Sequence, residues 1–64
     1  MKRIAILRHL HEHGCFLIRE GAKYSVVLNP VTEKTSTVPR HNEVDSNLAK
    51  KICKDLSIPE IKGK

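Results

Sequence analysis

Turn-forming residues divide the chain into short segments, and this spacing limits the possible folds more than any other feature. Gly14, Gly21 and the pair Asn29 and Pro30 interrupt the first half, and Pro39 follows a further run of β-forming residues. Glycine adopts backbone conformations that end helices and reverse chains, while proline cannot continue a helix or a central strand. We therefore expect several short elements in place of long helices.

Two segments, one near each end of the chain, have the apolar periodicity of amphipathic helices. The first covers residues 3–13, and Gly14 provides its stop. Its apolar stripe consists of Ile6, Leu7 and Leu10, with Ile4 beside it. The second is predicted over residues 45–56, with Asp45 or Ser46 as the capping residue. Its apolar positions recur every four residues, at Leu48, Ile52 and Leu56.

Three segments between the helices have the composition of short strands. The strands are predicted at residues 15–18, 24–28 and 34–38, with connections at residues 19–22 and 29–33. The order is α-β-β-β-α, and a three-stranded antiparallel sheet needs helices over one face. We therefore predict a single two-layer α+β domain over residues 1–64, in which residues 59–64 form a frayed tail.

The predicted loop at residues 29–33 sets the pairing of the second and third strands. The expected pairs are Leu28 with Thr35, Val26 with Thr37 and Tyr24 with Pro39. This register brings Arg40 and His41 close to Lys23 and Tyr24. A shift by one residue would exchange the two faces of a strand. Because every residue from 26 to 28 is apolar, the buried face of the second strand stays open.

The charge balance points to an anionic partner. The chain has 12 Lys and Arg against 7 Asp and Glu, a net charge of +5. Such a field favours nucleic acid or an acidic protein. A domain of 64 residues is too small for a deep cofactor cavity, so we expect no cofactor. Cys15 and Cys53 are widely separated beside apolar residues, and we expect them to be core thiols in a reducing compartment.

No segment approaches the length of about 20 apolar residues that a membrane span needs, and no apolar leader follows the first basic residues. These observations favour a cytoplasmic protein without a membrane partner. Three histidines alternate at His9, His11 and His13. On a helix only His9 and His13 share a side, so we expect solvated histidines and no metal site.

Two groups of residues are candidates for a functional surface. The second helix carries Lys50, Lys51 and Lys54, which form either a solvated face or a phosphate-contacting surface. The turn before the second strand carries Lys23, Tyr24 and Ser25, and the register places Arg40 and His41 beside them. From the residues alone, this cluster is either a hairpin corner with exposed charges or a binding site.

The whole pattern resembles the HicA toxins of the bacterial HicA–HicB type II toxin–antitoxin systems. The resemblance covers about residues 4–58 and is carried by "LRHLHEHGC", "REGAKYSVVLNP" and "TVPRHNEVDSNLAKKICKDLSIP". It implies a double-stranded-RNA-binding-domain-like fold and a metal-independent mRNA interferase, an endoribonuclease of bacterial stress responses. It also implies a HicB-like antitoxin that covers the site. We expect a monomer when the chain is free and a hetero-oligomer with the antitoxin.

One residue departs from the pattern of that family. The family's catalytic histidine lies a few positions after the glycine turn, and here Gly21 matches the glycine while Tyr24 holds the histidine's position. Metal-free RNA cleavage needs a base for the 2′-hydroxyl proton and an acid for the leaving 5′-oxygen. Histidine suits both roles, with a pKa of about 6.5, whereas tyrosine has a pKa of about 10. Loss of a matched acid–base group costs about 10²–10⁴ in rate.

Three interpretations of Tyr24 follow. The chain is an inactive form; or His41 carries the proton transfer; or Tyr24 itself donates a proton or stacks on RNA with low residual activity. The first is favoured. The expected RNA contacts are Lys23, Ser25, Arg40, His41, Lys50, Lys51 and Lys54. The rival functions are a non-catalytic RNA- or protein-binding module of the same fold and a small DNA-binding protein. A sheet between the helices argues against a helix-turn-helix DNA reader.

Overall fold

The computed structural model describes residues 1–61 and contains two helices and three strands in the order α-β-β-β-α. The elements are α1 (Arg3–Glu12), β1 (Phe16–Glu20), β2 (Tyr24–Asn29), β3 (Lys34–Pro39) and α2 (Ser46–Asp55). The predicted α+β architecture and element order are therefore confirmed. The predicted fraying of residues 62–64 lies outside the described part of the chain.

The three strands form one antiparallel sheet in the order β1-β2-β3. The predicted register is confirmed, since Leu28 lies opposite Thr35 and Tyr24 lies opposite Pro39. The pairing of β1 with β2 shifts between Leu17 and Arg19, which leaves Ile18 in a bulge. A bulge of this kind bends a strand and increases its local twist.

The first strand is placed differently from the prediction. It begins at Phe16 and continues through Glu20, where the sequence pattern predicted a turn from residue 19. Arg19 pairs with Val26 and Glu20 with Ser25, so two charged residues extend the ladder beyond the bulge. The prediction was wrong because backbone pairing with β2 does not depend on side-chain polarity at an exposed edge.

Both helices cover the same face of the sheet. The core joins Ile6 and Leu10 of α1 to Ile52 of α2, with Val27 and Val38 supplied by the sheet. The sequence did not predict which face of β2 is buried, and the structure shows it. Residues 25, 27 and 29 are buried against the helices, whereas Tyr24 is exposed and residues 26 and 28 are half-buried. Ile4 was predicted to lie beside the apolar stripe of the first helix, but its side chain is exposed in the structure.

The helix ends follow local sequence signals. Gly14 has a φ of +84°, a left-handed conformation that glycine adopts without strain, and it follows the last turn of α1. At the start of α2, Asp45 is the cap, and its side chain accepts a hydrogen bond from the Asn47 backbone at 3.4 Å. Of the two predicted caps, the structure therefore selects Asp45.

The two cysteines are core residues, as predicted. Both are free thiols, and their side chains are essentially inaccessible. Burial raises the pKa of Cys15, with a smaller contribution from the neighbouring Cys53, and burial likewise raises the pKa of Cys53. Raised pKa values favour the protonated, unreactive thiol.

The segment after α2 lies back against α1. His9 Nε2 donates to the carbonyl of Pro59 at 2.8 Å, and Ile58 and Ile61 pack against the core. These contacts hold residues 58–61 in place, whereas a frayed tail was expected from residue 59. Within residues 1–61, neither helix has the length and apolar character needed to cross a membrane.

Candidate nucleic-acid interface

The sheet face opposite the helices contains a concave surface of about 600 Å³ beside the turn between β1 and β2. It is lined by Arg19, Gly21, Ala22, Lys23, Tyr24, Val26, Thr35 and Thr37. The concavity arises because residues alternate between the two faces of a strand. With Ser25 and Val27 turned toward the helices, Tyr24 and Val26 line the opposite side.

The turn that carries Tyr24 depends on a glycine. The Gly21 backbone N–H donates a hydrogen bond to the Tyr24 carbonyl at 2.8 Å. A Cβ atom at residue 21 would also lie 2.8 Å from that carbonyl oxygen, closer than side chains tolerate. The absence of a side chain at residue 21 therefore allows the tight closure that presents Tyr24. Tyr24 is 51% exposed, and its side chain lies on the open face.

Arg40, the residue that follows β3, closes the same turn. Its guanidinium contacts the Glu20 carboxylate at 2.8 Å and donates to the Gly21 carbonyl at 3.0 Å. Its backbone N–H donates to the Lys23 carbonyl at 3.1 Å. The proximity of Arg40 to Lys23 that the register predicted is confirmed. Because Glu20 compensates its charge, Arg40 orders the turn, and Lys23 and Arg19 present the cations to the concavity.

His41 follows in the loop between β3 and α2 and is exposed. The loop is held against the start of the chain, where the Arg3 N–H donates to the Asn42 carbonyl at 2.9 Å and Lys2 bridges to Glu43. Among residues 1–61, no hydrogen bond joins His41 to Tyr24. His41 is also not among the residues that line the concavity.

Ser25 does not face a ligand surface. Its side chain is fully buried on the helix-covered face, and its hydroxyl accepts a hydrogen bond from Arg3 Nη2 at 2.9 Å. The expected RNA contact from Ser25 is therefore incompatible with this fold, because neighbouring strand residues point to opposite faces. Ser25 supports the site from behind by holding Tyr24 outward.

The lysines of α2 form a second basic surface. Lys50, Lys51 and Lys54 lie on the side of α2 that points away from the sheet, opposite the buried Ile52. Lys51 contacts Asp55 at 3.1 Å, and the hydroxyl of Ser36 donates to Asp55 at 3.2 Å. The Lys51 hydrogen bond, with help from Ser36, lowers the pKa of Asp55. The predicted basic residues are thus divided between two faces of the molecule.

The alternating histidines do not converge. The rings of His9 and His13 lie 4.5 Å apart in an edge-to-face arrangement, and His9 is engaged with Pro59. His11 lies on the side of α1 that faces β1. In the described part of the chain, no three His, Cys, Asp or Glu side chains are grouped in a way that would hold a metal ion.

Three polar residues that line the concavity were not predicted as site residues: Arg19, Thr35 and Thr37. Arg19 was assigned to a turn because the first strand was ended too early. Thr35 and Thr37 were predicted to pair with Leu28 and Val26, but the face they occupy was undecided. The register was the signal available: once Tyr24 is placed on the open face, Thr37 lies beside Val26 on that face.

The arrangement suits an extended polyanion. Two cations, one half-exposed phenol ring and two exposed threonine hydroxyls surround an apolar floor at Val26. Cations bind phosphates, and an aromatic ring stacks on a nucleobase. Among the described residues that line the concavity, none carries a carboxylate or an imidazole.

Comparisons of this chain with protein-family models, with curated proteins and with solved structures give no match. The fold is therefore described by its own architecture: three antiparallel strands with two helices on one face. The function must be argued from the open face of the sheet and from the chemistry of the residues that line it.

Proposed function

We propose that this protein is a HicA-like RNA-binding domain whose open sheet face holds RNA beside Tyr24. In this proposal it descends from metal-independent mRNA interferases, and its cleavage step is impaired because Tyr24 occupies the catalytic histidine's position. The α-β-β-β-α order with both helices on one face agrees with a double-stranded-RNA-binding-domain-like fold. Agreement in element order supports the proposal but does not by itself identify a function.

The observation that carries the proposal is the position of Tyr24. The ring is half exposed at the start of β2, on a tight glycine turn, and shares a concavity with Arg19 and Lys23. A binding site for a single strand needs cations for the backbone and a flat ring for a base. The resemblance to HicA and the geometry thus direct attention to the same residue by separate arguments.

The chemistry of cleavage explains the expected impairment. A base removes the proton of the 2′-hydroxyl, the oxygen attacks the adjacent phosphorus, and an acid protonates the departing 5′-oxygen. In this proposal, Arg19 and Lys23, which both line the concavity, stabilise the negative charge of the phosphate. Tyr24 has a hydroxyl proton to donate, but a phenol is a poor match for the removal of a proton at neutral pH.

The proposed partners are mRNA and a HicB-like antitoxin protein in the cytoplasm of a bacterium. The lysines on the outer face of α2 give the domain a second cationic surface, which is suited to a longer RNA or to an acidic partner. We expect a free monomer that becomes a hetero-oligomer with the antitoxin. The net charge of +5 supports an anionic partner in each case.

The second candidate is a non-catalytic RNA- or protein-binding module of the same fold. Two specific observations favour it. Among the described residues that line the concavity, none carries an imidazole. Arg40 already forms an ion pair with Glu20, so its charge is compensated within the protein. In this function the open face binds RNA or protein and no bond is broken.

The decisive experiment is an RNA cleavage assay on the purified chain and on Tyr24→His, with EDTA present. We expect the histidine variant to cleave at least about 10² times faster than the parent chain, the scale of a matched acid–base group. Tyr24→Phe serves as the control, because it keeps the ring and removes the hydroxyl. Thermal unfolding of all three proteins establishes that they are folded.

Each outcome separates the interpretations. Cleavage by Tyr24→His alone supports an impaired interferase. Equal cleavage by the parent chain contradicts the impairment; loss of that activity in Tyr24→Phe would assign it to the phenol, and loss in His41→Ala would assign it to the imidazole. RNA binding without cleavage by any variant favours the non-catalytic module. The absence of both binding and cleavage would overturn the proposal.

A further inference from the structure

The open face of the sheet has a charged side and an uncharged side. Arg19 of β1 lies opposite Val26 of β2, and Val26 lies opposite Thr37 of β3, so the three residues form one row across the sheet. All three line the concavity. Because neighbouring strands are about 4.8 Å apart, the two ends of this row are separated by about 10 Å. The row therefore has a cation at one end, an apolar centre and a neutral hydroxyl at the other end.

The cations that line the concavity lie on its β1 side. Arg19 belongs to β1, and Lys23 lies in the turn between β1 and β2. Within residues 1–61, neither side chain forms an ion pair, whereas the charge of Arg40 is compensated by Glu20. The charges of Arg19 and Lys23 are therefore available to phosphates, which bind cationic side chains.

The β3 side of the concavity is neutral and polar. Its lining residues are Thr35 and Thr37, whose side chains are both exposed. Thr37 is the nearer of the two to Tyr24, because Tyr24 pairs with Pro39, two residues further along β3. A hydroxyl donates and accepts hydrogen bonds, so it suits the edge of a nucleobase. Thr37 therefore presents a neutral hydrogen-bonding group beside the ring of Tyr24.

The ring and the cations of the concavity do not distinguish one base from another. A ring such as that of Tyr24 stacks on every base, because each base has a flat aromatic face. Phosphates are the same in every sequence, so contacts from Arg19 and Lys23 carry no sequence information. A base preference must then come from a polar contact with a base edge. Apart from Tyr24, the uncharged polar side chains that line the concavity are those of Thr35 and Thr37.

We propose that Thr37 is a specificity-determining residue of the RNA site and reads the edge of a base beside Tyr24. In this arrangement, which rests on the proposed function, the backbone of the RNA lies on the β1 side, with phosphates against Arg19 and Lys23. The bases extend over Val26 toward β3, where the hydroxyl of Thr37 forms a hydrogen bond with one base edge. The substrate class is single-stranded RNA, because the base edges of a duplex are already paired.

The test compares labelled hexanucleotides of adenosine, cytidine and uridine by fluorescence anisotropy. The strands carry fluorine in place of the 2′-hydroxyl, the group that would attack the phosphate, so that they stay intact. We expect the parent chain to bind one strand about fivefold more tightly than another, the scale of one neutral hydrogen bond. Thr37→Val keeps a β-branched side chain and removes the hydroxyl. It should reduce this preference to less than about twofold and leave the slope of log K against log salt unchanged.

Arg19→Gln is the complementary variant. It should weaken the binding of all three strands alike and lower the salt slope by about 0.7, because it removes one phosphate contact, while the base preference stays that of the parent. Two controls remove the same groups at exposed positions outside the concavity, Thr32→Val in the loop between β2 and β3 and Arg8→Gln on α1. Both controls should bind like the parent chain, and thermal unfolding verifies that every variant folds.

The role of Thr37 is overturned if the parent binds the three strands equally, if Thr37→Val weakens all three alike or lowers the salt slope, or if Thr32→Val has the same effect. A changed base preference in Arg19→Gln would also contradict it, because the charged side would then read the bases. Failure of the proposed function is recognised separately, since a parent chain that binds neither these strands nor unmodified RNA overturns both. Binding of unmodified RNA alone would retain the function and assign recognition to the 2′-hydroxyl, against the role of Thr37.

Discussion

The guanidinium of Arg3 donates a hydrogen bond over 2.9 Å to the hydroxyl of Ser25, which is fully buried. The same guanidinium donates from Nε to the Pro39 carbonyl, also over 2.9 Å. The first residue of α1 is thereby attached to β2 and β3 where those strands pair. With Ser25 held inward, the next residue toward the turn, Tyr24, is directed to the open face.

Arg3→Met should destabilise the fold by about 1–3 kcal/mol, because the buried Ser25 hydroxyl and the Pro39 carbonyl would lose their donor. Urea unfolding at neutral pH measures this difference. Arg8→Met is the matched control, since Arg8 is exposed, and it should change stability by less than about 0.5 kcal/mol. Equal stabilities of the two variants would contradict the structural role assigned to Arg3.

Asn29→Ala should lower the free energy of unfolding by about 2–4 kcal/mol. The Asn29 side chain is buried, donates to the Leu56 carbonyl at 2.7 Å and accepts from the Val31 N–H at 3.0 Å. Alanine removes both hydrogen bonds and leaves a buried carbonyl at the end of α2 without its donor. Urea unfolding gives the cost, and Asn47→Ala at an exposed position is the control. A loss below about 0.5 kcal/mol would refute this bridging role.

Gly21→Ala should disturb the candidate site, because the new Cβ would lie 2.8 Å from the Tyr24 carbonyl oxygen and the turn would have to open. Tyr24 is the only tyrosine and the chain has no tryptophan, so its fluorescence reports directly on the change. Gly14→Ala is the comparison: at a φ of +84° it should cost about 1 kcal/mol through backbone strain, yet leave Tyr24 fluorescence unaltered. Unchanged fluorescence in Gly21→Ala would count against the close fit of this turn.

The pKa of Asp55 is lowered, chiefly by its hydrogen bond to Lys51 and then by Ser36. Because the pKa of Asp55 is lower in the folded state than its ordinary value of 3.8, the ionised carboxylate stabilises the fold at pH values above 3.8. This stabilisation is lost as the pH falls through the folded-state pKa. Asp55→Asn should therefore narrow the difference in urea midpoint between pH 7 and pH 3. Glu12→Gln, at an exposed position on α1, is the control and should keep the parent's difference. If Asp55→Asn keeps the parent's difference in urea midpoint as well, the ionisation of Asp55 does not contribute to the pH dependence of stability.

Binding of a short single-stranded RNA should quench Tyr24 fluorescence if a base stacks on the ring. Lys23→Gln should weaken this binding and reduce the slope of log K against log salt by about 0.7, the value of one phosphate contact on a single strand. Lys54→Gln makes the same change on the outer face of α2, across the sheet from Tyr24, and should leave short-strand binding unchanged. If Lys54→Gln has the larger effect, the open face is the wrong surface.

Much of the fold could be predicted because its signals are local. Gly14 ends α1 and Asp45 caps α2 through contacts within a few residues. The register of β2 with β3 follows from the loop between them, and Tyr24 lies opposite Pro39 as predicted. The end of β1 could not be predicted, because its last two residues are polar and only their pairing with β2 makes them a strand.

The candidate site was predicted in part. The turn residues Lys23, Tyr24 and Arg40 do come together, since the register alone brings them there. The role of Arg40 in holding the turn between β1 and β2 was not predictable, because its partner Glu20 was assigned to a turn and not to a strand. Ser25 was expected to contact RNA, although the sequence left the buried face of β2 undecided, and its side chain is buried against the helices.

The sequence by itself determined the order of the elements, their approximate ends and the pairing of β2 with β3. These features depend on caps, turns and periodicities that act over a few residues. Only the tertiary structure decided which face of β2 is buried. The buried face packs against both helices, and its polar residues form hydrogen bonds with residues far apart in the chain, Ser25 with Arg3 and Asn29 with the Leu56 carbonyl. Local patterns carry no record of such long-range contacts, although these contacts direct Tyr24 to the open face.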